Sequence, residues 1–241
     1  MKEVASLIAD SKHCIALTGA GISTESGIPD FRSKDGLWSR YEPEEYAYIG
    51  SFLRNPAKVW KMLTEMIESM KNVKPNPAHY ALAELEKLGY VKAVITQNID
   101  ELHTRAGSKN VIEFHGNFSR LTCMSCGREY SINEVEIEGV PRCKCNGVLK
   151  PNIVFFGESI PRKALIKAFD VAKKCDVMLV IGTSCAVYPA NELPLVAKMN
   201  GAKIVEINRE ESEIADIADY KLRGNVREIL PALVKEIKNL D

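Results

Sequence analysis

Five short apolar runs, Cys14–Leu17, Val91–Ile95, Val111–Phe114, Val177–Ile181 and Lys203–Ile207, each stop at small or polar residues and alternate with stretches of helical periodicity. Short apolar runs read as strands buried on both faces. Strands that alternate with helices in this way restrict the chain to an α/β fold, a Rossmann-like, doubly wound parallel sheet with helices on both sides. Open sheets of this kind place ligands outside the carboxyl ends of their strands. The residues that follow each run are therefore the first candidates for a site. They are Gly19-Ala20-Gly21, then Gln97-Asn98-Ile99-Asp100 after Thr96, then His115-Gly116, then Gly182-Thr183-Ser184, and finally Asn208.

The first break is the longest. From Thr18 to Arg32 it reads T-G-A-G-I-S-T-E-S-G-I-P-D-F-R. Gly19 and Gly21 remove side chains at a sharp strand exit, which lets backbone N–H groups approach a phosphate. The pattern falls short of a dinucleotide fingerprint, since Thr24 stands where a third glycine belongs, and a tight turn without ligand explains the two glycines equally well. Beyond them, Ser23, Ser26, Asp30 and Arg32 surround Ile28-Pro29 and Phe31 in a segment too broken for helix or strand, which suits a loop that closes over a ligand. The second small-residue turn, Gly182-Thr183-Ser184, could cradle a phosphate or a ribose.

Between the strands, Asn55-Pro56 and Asn76-Pro77 each signal a helix start, the asparagine as cap and the proline at the first helical position. The first of these helices carries Val59, Trp60, Leu63, Met66, Ile67 and Met70 on one face, and the second ends at Gly89 with His79 in a structural place. Asp35-Gly36 marks a turn. Asp100 reads either as a site residue or as the cap of the short helix that follows it. His115 stands at a strand end on the crevice side, although a lone histidine is more often structural. From Ile153 to Glu158 the chain reads as an extended strand. Helices follow from Pro161, from Pro189 and from Val226.

The cysteines fall into two groups. Cys14, Cys175 and Cys185 lie in apolar surroundings as small buried thiols. Cys123-x-x-Cys126 and Cys143-x-Cys145 lie in a polar stretch with Gly127 and Gly147 beside them, and together they predict a structural tetrahedral zinc with no open coordination position. Two disulfides are a poor alternative in a cytoplasmic chain. The formal net charge is zero, so nothing steers a polyanion, and neither a membrane partner nor direct sequence-specific nucleic-acid binding is expected. The N-terminus lacks the apolar core of a signal peptide and no apolar run reaches membrane-spanning length, so a cytoplasmic location is expected.

The string from Thr18 to Arg32 resembles the signature of the sirtuins, NAD-dependent protein lysine deacylases, and the resemblance extends over almost the whole chain. It implies one reaction. The carbonyl oxygen of an acyl-lysine attacks C1′ of the nicotinamide ribose, nicotinamide leaves, and a histidine in this H-G context deprotonates the ribose. The acyl group passes to the ribose, giving free lysine and O-acyl-ADP-ribose. On the same resemblance His115 is the catalytic base. Ala20, Gly21, Arg32, Thr183, Ser184 and Asn208 contact NAD on its phosphate and adenosine side, Gly19, Asp30 and Gly182 also belong to the cofactor site, and Phe31 shields the reactive carbon. Gln97, Asn98, Ile99 and Asp100 face the ribose and nicotinamide, with Ile28 beside Ile99 in the pocket wall. Val154, Phe155, Phe156, Gly157 and Glu158 match the segment that pairs with substrate backbone. In the branch that removes succinyl and malonyl groups, a Tyr and an Arg stand three residues apart where Leu63 and Met66 stand here, which implies a preference for acetyl and other uncharged chains. The second cysteine pair is one residue shorter than the usual sirtuin pair.

The expected layout is a discontinuous NAD-binding domain of residues 1–30, 78–117 and 152–241. The helical insertion 31–77 and the zinc module 118–151 form a smaller lobe. Two rival readings stay open at this point: a mono-ADP-ribosyltransferase using the same cofactor, and a non-enzymatic zinc module that binds nucleic acid or a partner. An acetylated-lysine protein as substrate, with NAD and one structural Zn as cofactors, is the expectation carried forward.

Overall fold

The computed structural model describes every residue except Arg32, Asp35 and Asp241. Helix α1 (Lys2–Asp10) leads into β1 (Cys14–Thr18), after which the glycine-rich stretch winds through two short 3-10 turns, Ala20–Ile22 and Thr24–Ser26. The first insertion holds α2 (Pro43–Tyr46), α3 (Ile49–Arg54) and α4 (Pro56–Met70), and α5 (Pro77–Lys87) then returns the chain to β2 (Val91–Thr96). Both expected caps form: Asn55 accepts the Lys58 N–H at 3.1 Å and Asn76 the Ala78 N–H at 2.9 Å. Helix α6 (Leu102–Ala106) and β3 (Val111–Glu113) follow.

The remaining elements are β4 (Gly116–Cys123), β5 (Glu129–Ser131), β6 (Leu149–Ile153), α7 (Arg162–Lys174), β7 (Val177–Ile181), α8 (Glu192–Met199), β8 (Lys203–Asn208), β9 (Tyr220–Arg223) and α9 (Val226–Lys238). Six strands form one sheet in the order β3-β2-β1-β7-β8-β9, every neighbouring pair parallel. From β1 the chain builds outward to β2 and β3, then crosses back to start the other half at β7. The order therefore reverses between β1 and β7, and a crevice opens there at the carboxyl ends.

Period-two alternation divides each strand between two cores. Cys14 and Ala16 of β1, with Val177, Leu179 and Ile181 of β7, face α1, α5 and α9 through Ile8, Leu82, Leu85, Leu230 and Leu233. Ile15, Leu17, Met178 and Val180 face α7 and α8 through Ala168, Ala172, Leu193 and Ala197. In β2 the register slips by one residue, because Cys14 pairs with Val91 and Ile15 with Ala93; the exposed Lys92 is the extra residue.

A second, antiparallel sheet has the order β5-β4-β6. It packs under α4 in a third core of Phe52, Val59, Trp60, Leu63, Leu121 and Leu149, and the Trp60 indole N–H donates to the Leu149 carbonyl at 3.0 Å. Neither this sheet nor β9 is apparent in the apolar pattern. Their strands mix polar with apolar residues, β4 over eight positions and β5 and β9 over three and four, so no apolar run stands out. The expected strand from Ile153 to Glu158 also differs, because regular pairing ends at Ile153. Val154 N–H turns to the His115 carbonyl at 2.9 Å, Phe156 exchanges backbone bonds with Ala47 and Ile49, and Gly157 bends the chain at φ +81°. The helix expected from Pro189 begins at Glu192. Among the described residues no helix is long and apolar enough to cross a membrane.

Candidate active site

A cavity of about 570 Å³ opens at the β1/β7 switch point, within the roughly 300–1,000 Å³ range of cofactor pockets. Gly19, Ala20, Gly21, Asp30 and Phe31 line it from the first strand exit. Gln97, Asn98, Ile99 and His115 come from the next two, and Gly182, Thr183, Ser184 and Asn208 from β7 and β8. Leu63 and Met66 of α4 and the segment Val154, Phe155, Phe156, Gly157 and Glu158 complete the expected set. Asp100 and Ile28 do not line the cavity, and Arg32 lies outside the described residues.

The glycines' own N–H groups are taken up within the chain. Gly19 N–H donates to the Ile181 carbonyl at 3.1 Å and Gly21 N–H to the Gly182 carbonyl at 2.8 Å, so neither is directed at a phosphate. A Cβ on Gly21 would lie 2.8 Å from the Gly182 oxygen, and one on Gly182 would lie 2.5 Å from the Ile22 nitrogen. These glycines exist because two loops meet backbone to backbone across the switch point. Between them the Ala20 N–H has no partner within the chain among the described residues, at the start of a 3-10 turn beside the cavity. That is a donor of the kind a pyrophosphate oxygen takes up, and with the amides of Gln97 and Asn98 nearby the lining fits a dinucleotide.

Asp100 belongs instead to a buried polar chain behind the cavity. Its carboxylate accepts the Ser23 hydroxyl at 2.7 Å and the Leu102 N–H at 2.9 Å, so it serves the start of α6 while bracing Ser23. Asn98 donates to Ser23 Oγ and to the Gly19 carbonyl, both at 3.1 Å. His79 Nδ1 accepts the Asn76 N–H, which leaves the hydrogen on Nε2, facing Ser23 Oγ at 3.4 Å. Burial pushes His79 down to about 4 and His103, bonded to Thr18 Oγ1 at 2.9 Å, down to about 3; both are neutral near pH 7. The capping position of His79 is readable in the sequence, but its approach to Ser23 is not, since the two are brought together only by the packing of α5 against the first strand exit.

His115 is tied to both halves of the cavity. Its Nδ1 sits 3.1 Å from the Gln97 carbonyl, so Nδ1 carries the hydrogen and Nε2 is left as a proton acceptor. Gln97 in turn donates to Thr183 Oγ1 at 3.0 Å, and the His115 carbonyl takes the Val154 N–H. Burial lowers its pKa below the ordinary histidine value, opposed by the Gln97 hydrogen bond. Gly116 behind it holds φ +72°, and a Cβ there would lie 1.9 Å from the Asn152 oxygen, so only glycine lets β6 come this close to the histidine.

Several lining residues carry no sequence signal. Met62, Trp38, Val187 and Tyr188 reach the cavity from elements whose patterns read as core or loop, as do Arg209, Glu210 and Glu211 beyond Asn208. Ligand contacts made from loops have no periodicity to announce them.

Away from the cavity, the sulfurs of Cys123, Cys126, Cys143 and Cys145 all lie within 4.8 Å of one another, with Cys123–Cys145 at 3.5 Å and Cys126–Cys143 at 3.6 Å. A tetrahedral zinc with Zn–S bonds near 2.3 Å requires sulfur separations of about 3.8 Å, so the set fits one ion. The Cys145 N–H and the Tyr130 hydroxyl both point at the Cys143 sulfur and hold its thiol down to about 6, favouring the thiolate a metal needs. With four protein sulfurs the ion would have no open position, so its part is structural.

The profile of the Sir2 family matches residues 19–189. NAD-dependent protein deacetylase 1 of Pyrobaculum aerophilum is 52% identical over 244 residues, covering 100% of this chain and 96% of its own. The NAD-dependent protein deacylase of Pyrococcus furiosus is 53% identical over 245 residues, with 99% and 98% covered. Among solved structures, a Sir2 homologue in complex with NAD aligns with a TM-score of 0.94 at 46% identity, over 100% of this chain and 94% of that one. A Sir2 complex with a deacetylated p53 peptide and 3′-O-acetyl-ADP-ribose aligns with a TM-score of 0.94 at 43% identity, over 98% of each chain. Profile, whole-chain identity and superposition agree, and the chain belongs to the Sir2 family.

Proposed function

We propose that this chain removes acetyl and other uncharged acyl groups from protein lysines, consuming NAD and releasing nicotinamide and O-acetyl-ADP-ribose. When bound, NAD supplies a ribose carbon from which nicotinamide can be displaced by the acyl oxygen. The observation that carries the reading is the double attachment of His115, through its ring to Gln97 and through its carbonyl to Val154. A proton acceptor is thereby fixed between the residues suited to a dinucleotide and those suited to a peptide.

Ala20, Thr183, Ser184 and Asn208 hold the phosphates and the adenosine side, with Gly19, Gly21 and Gly182 admitting the cofactor by their lack of side chains. Gln97, Asn98 and Ile99 border the nicotinamide ribose, and Phe31, tilted against Trp38 with ring centroids 5.3 Å apart, excludes water from it. Asp30 lines the same loop. Asp100 acts indirectly, by bracing Ser23. Nε2 of His115 accepts a ribose hydroxyl proton, which activates that oxygen toward the acyl carbon.

On the peptide side the Val154 carbonyl and the Gly157 N–H carry no hydrogen bond among the described residues, which suits the addition of a substrate strand. Leu63, Met62 and Met66 bound the acyl end with apolar surface. The division into a body of residues 1–30, 78–117 and 152–241 and a lobe of residues 31–77 and 118–151 is supported by the cores. The first two draw on the body and the third mainly on the lobe, with Ile153 and Phe155 shared. Four cysteines gathered as one metal set suit a reducing cytoplasm.

The decisive experiment incubates the protein with an acetyl-lysine peptide, with and without NAD. Free lysine and O-acetyl-ADP-ribose formed only with NAD are expected. A mass increase on the protein target from ADP-ribose, without deacetylation, would establish the transferase reading instead.

A further inference from the structure

Lys150, the second residue of β6, is 8% exposed, which is unusual for a lysine. Its ammonium donates to the Pro151 carbonyl at 3.0 Å and the Ile153 carbonyl at 2.9 Å, and lies 3.1 Å from Glu158 Oε2. These three oxygens account for its three N–H donors. The Phe155 ring faces the same ammonium at 5.0 Å. The same Glu158 oxygen accepts the Phe155 N–H at 2.8 Å. One oxygen of the Glu158 carboxylate is therefore engaged within the bend, while the residue still borders the cavity. It folds back over the Val154–Gly157 bend, and Lys150 neutralises it from beneath. Among the described residues, the bend's other outward hydrogen bonds run to the His115 carbonyl at Val154 and to the Ala47 and Ile49 backbone at Phe156, while the Phe155 ring packs against Phe52 and the Phe156 ring against Tyr48.

We infer that Lys150, acting through Glu158, is the positioning residue of the bend that receives the acylated peptide. The inference rests on the functional reading above. Lys150 makes no cavity contact and Glu158 is on the peptide side, so loss of the pair should affect peptide recognition while the dinucleotide lining stays in place. The pair also ties this bend to the metal-bearing sheet, since Leu149, next to Lys150, pairs with Cys123 in β4.

The test compares wild type with Lys150→Met, which keeps the apolar stem and removes the charge, and with Glu158→Gln, which keeps the shape. Initial rates are measured over acetyl-peptide concentration, and NAD affinity by calorimetry on the zinc-loaded proteins. For Lys150→Met the peptide KM should rise about tenfold or more, as when one partner of a buried pair is truncated, with NAD affinity within about twofold of wild type. Glu158→Gln retains an acceptor for the Phe155 N–H and should give a smaller rise in the same parameter; it also serves as the test should Lys150→Met not fold. A peptide KM within twofold of wild type in the folded variants overturns the proposal, as does an equal loss of NAD affinity, which would make the pair a general structural prop. A wild type that turns over no acetylated peptide refutes the functional reading itself, and the proposal falls with it. An active wild type with unaffected variants refutes the proposal alone.

Discussion

Replacing Cys143 by alanine tests the role of the metal. Cys143 and Cys123 are buried in the same core as Trp60, Leu121 and Leu149, so the metal set is part of the interior of the smaller sheet. Zinc binding to a four-cysteine site is worth about 10–16 kcal/mol, against about 5–15 kcal/mol for the whole stability of an ordinary domain. Loss of one thiolate should therefore leave the three-stranded sheet without enough stability to fold, while the two cores of the parallel sheet keep theirs. The molecule supplies its own reporter. Its only two tryptophans, Trp38 and Trp60, both belong to this third core, so tryptophan emission reads that region alone. In Cys143→Ala, zinc released by acid and measured with a colorimetric chelator should fall from one ion per chain to near none. Tryptophan emission should shift to the red, with most helical circular dichroism retained. A variant with full zinc, unshifted emission and an unchanged melting temperature would refute the argument.

Four further outcomes are expected. His115→Ala should lower deacylation by about a hundredfold or more, the usual loss for a general base, while calorimetry finds NAD binding retained. In the wild type, burial lowers the His115 pKa, so the neutral form persists into mildly acid solution; activity should fall on acidification with a midpoint below the ordinary histidine value near about 6.5, and a midpoint above that value would contradict the burial argument. Acetyl-lysine peptide should be turned over faster than succinyl-lysine peptide, because Leu63 and Met66 leave an anionic chain unpaired in an apolar wall; the reverse order in parallel rate assays would show another cation reaching the site. Gly21→Ala forces a Cβ to within 2.8 Å of the Gly182 oxygen, an overpacking worth about 1–3 kcal/mol, so thermal unfolding should drop by roughly 2–12 °C, and an unchanged melting temperature would refute the close-contact reading.

The sequence alone determined the parallel sheet, since buried strands between amphipathic helices leave one economical architecture, and it determined the metal set, since four cysteines in two close pairs have few other uses. It also placed the candidate residues at strand ends, where the cavity indeed opens. The three-dimensional packing decided the rest. Gly19 and Gly21 carry the same letters whether they face a phosphate or a neighbouring loop, and only the meeting of the β1 and β7 exits shows that their N–H groups are already bonded. Asp100 stands in a motif position that suggests ligand contact, yet its carboxylate is turned to Ser23, 77 residues away in the chain, and one oxygen of Glu158, which does border the cavity, is taken by Lys150, 8 residues away. Local pattern follows hydrophobic periodicity, which the sequence displays. The direction in which a buried polar side chain points is set by whichever partner the tertiary fold brings within hydrogen-bonding distance, because leaving it unpaired costs more than any local preference can offset.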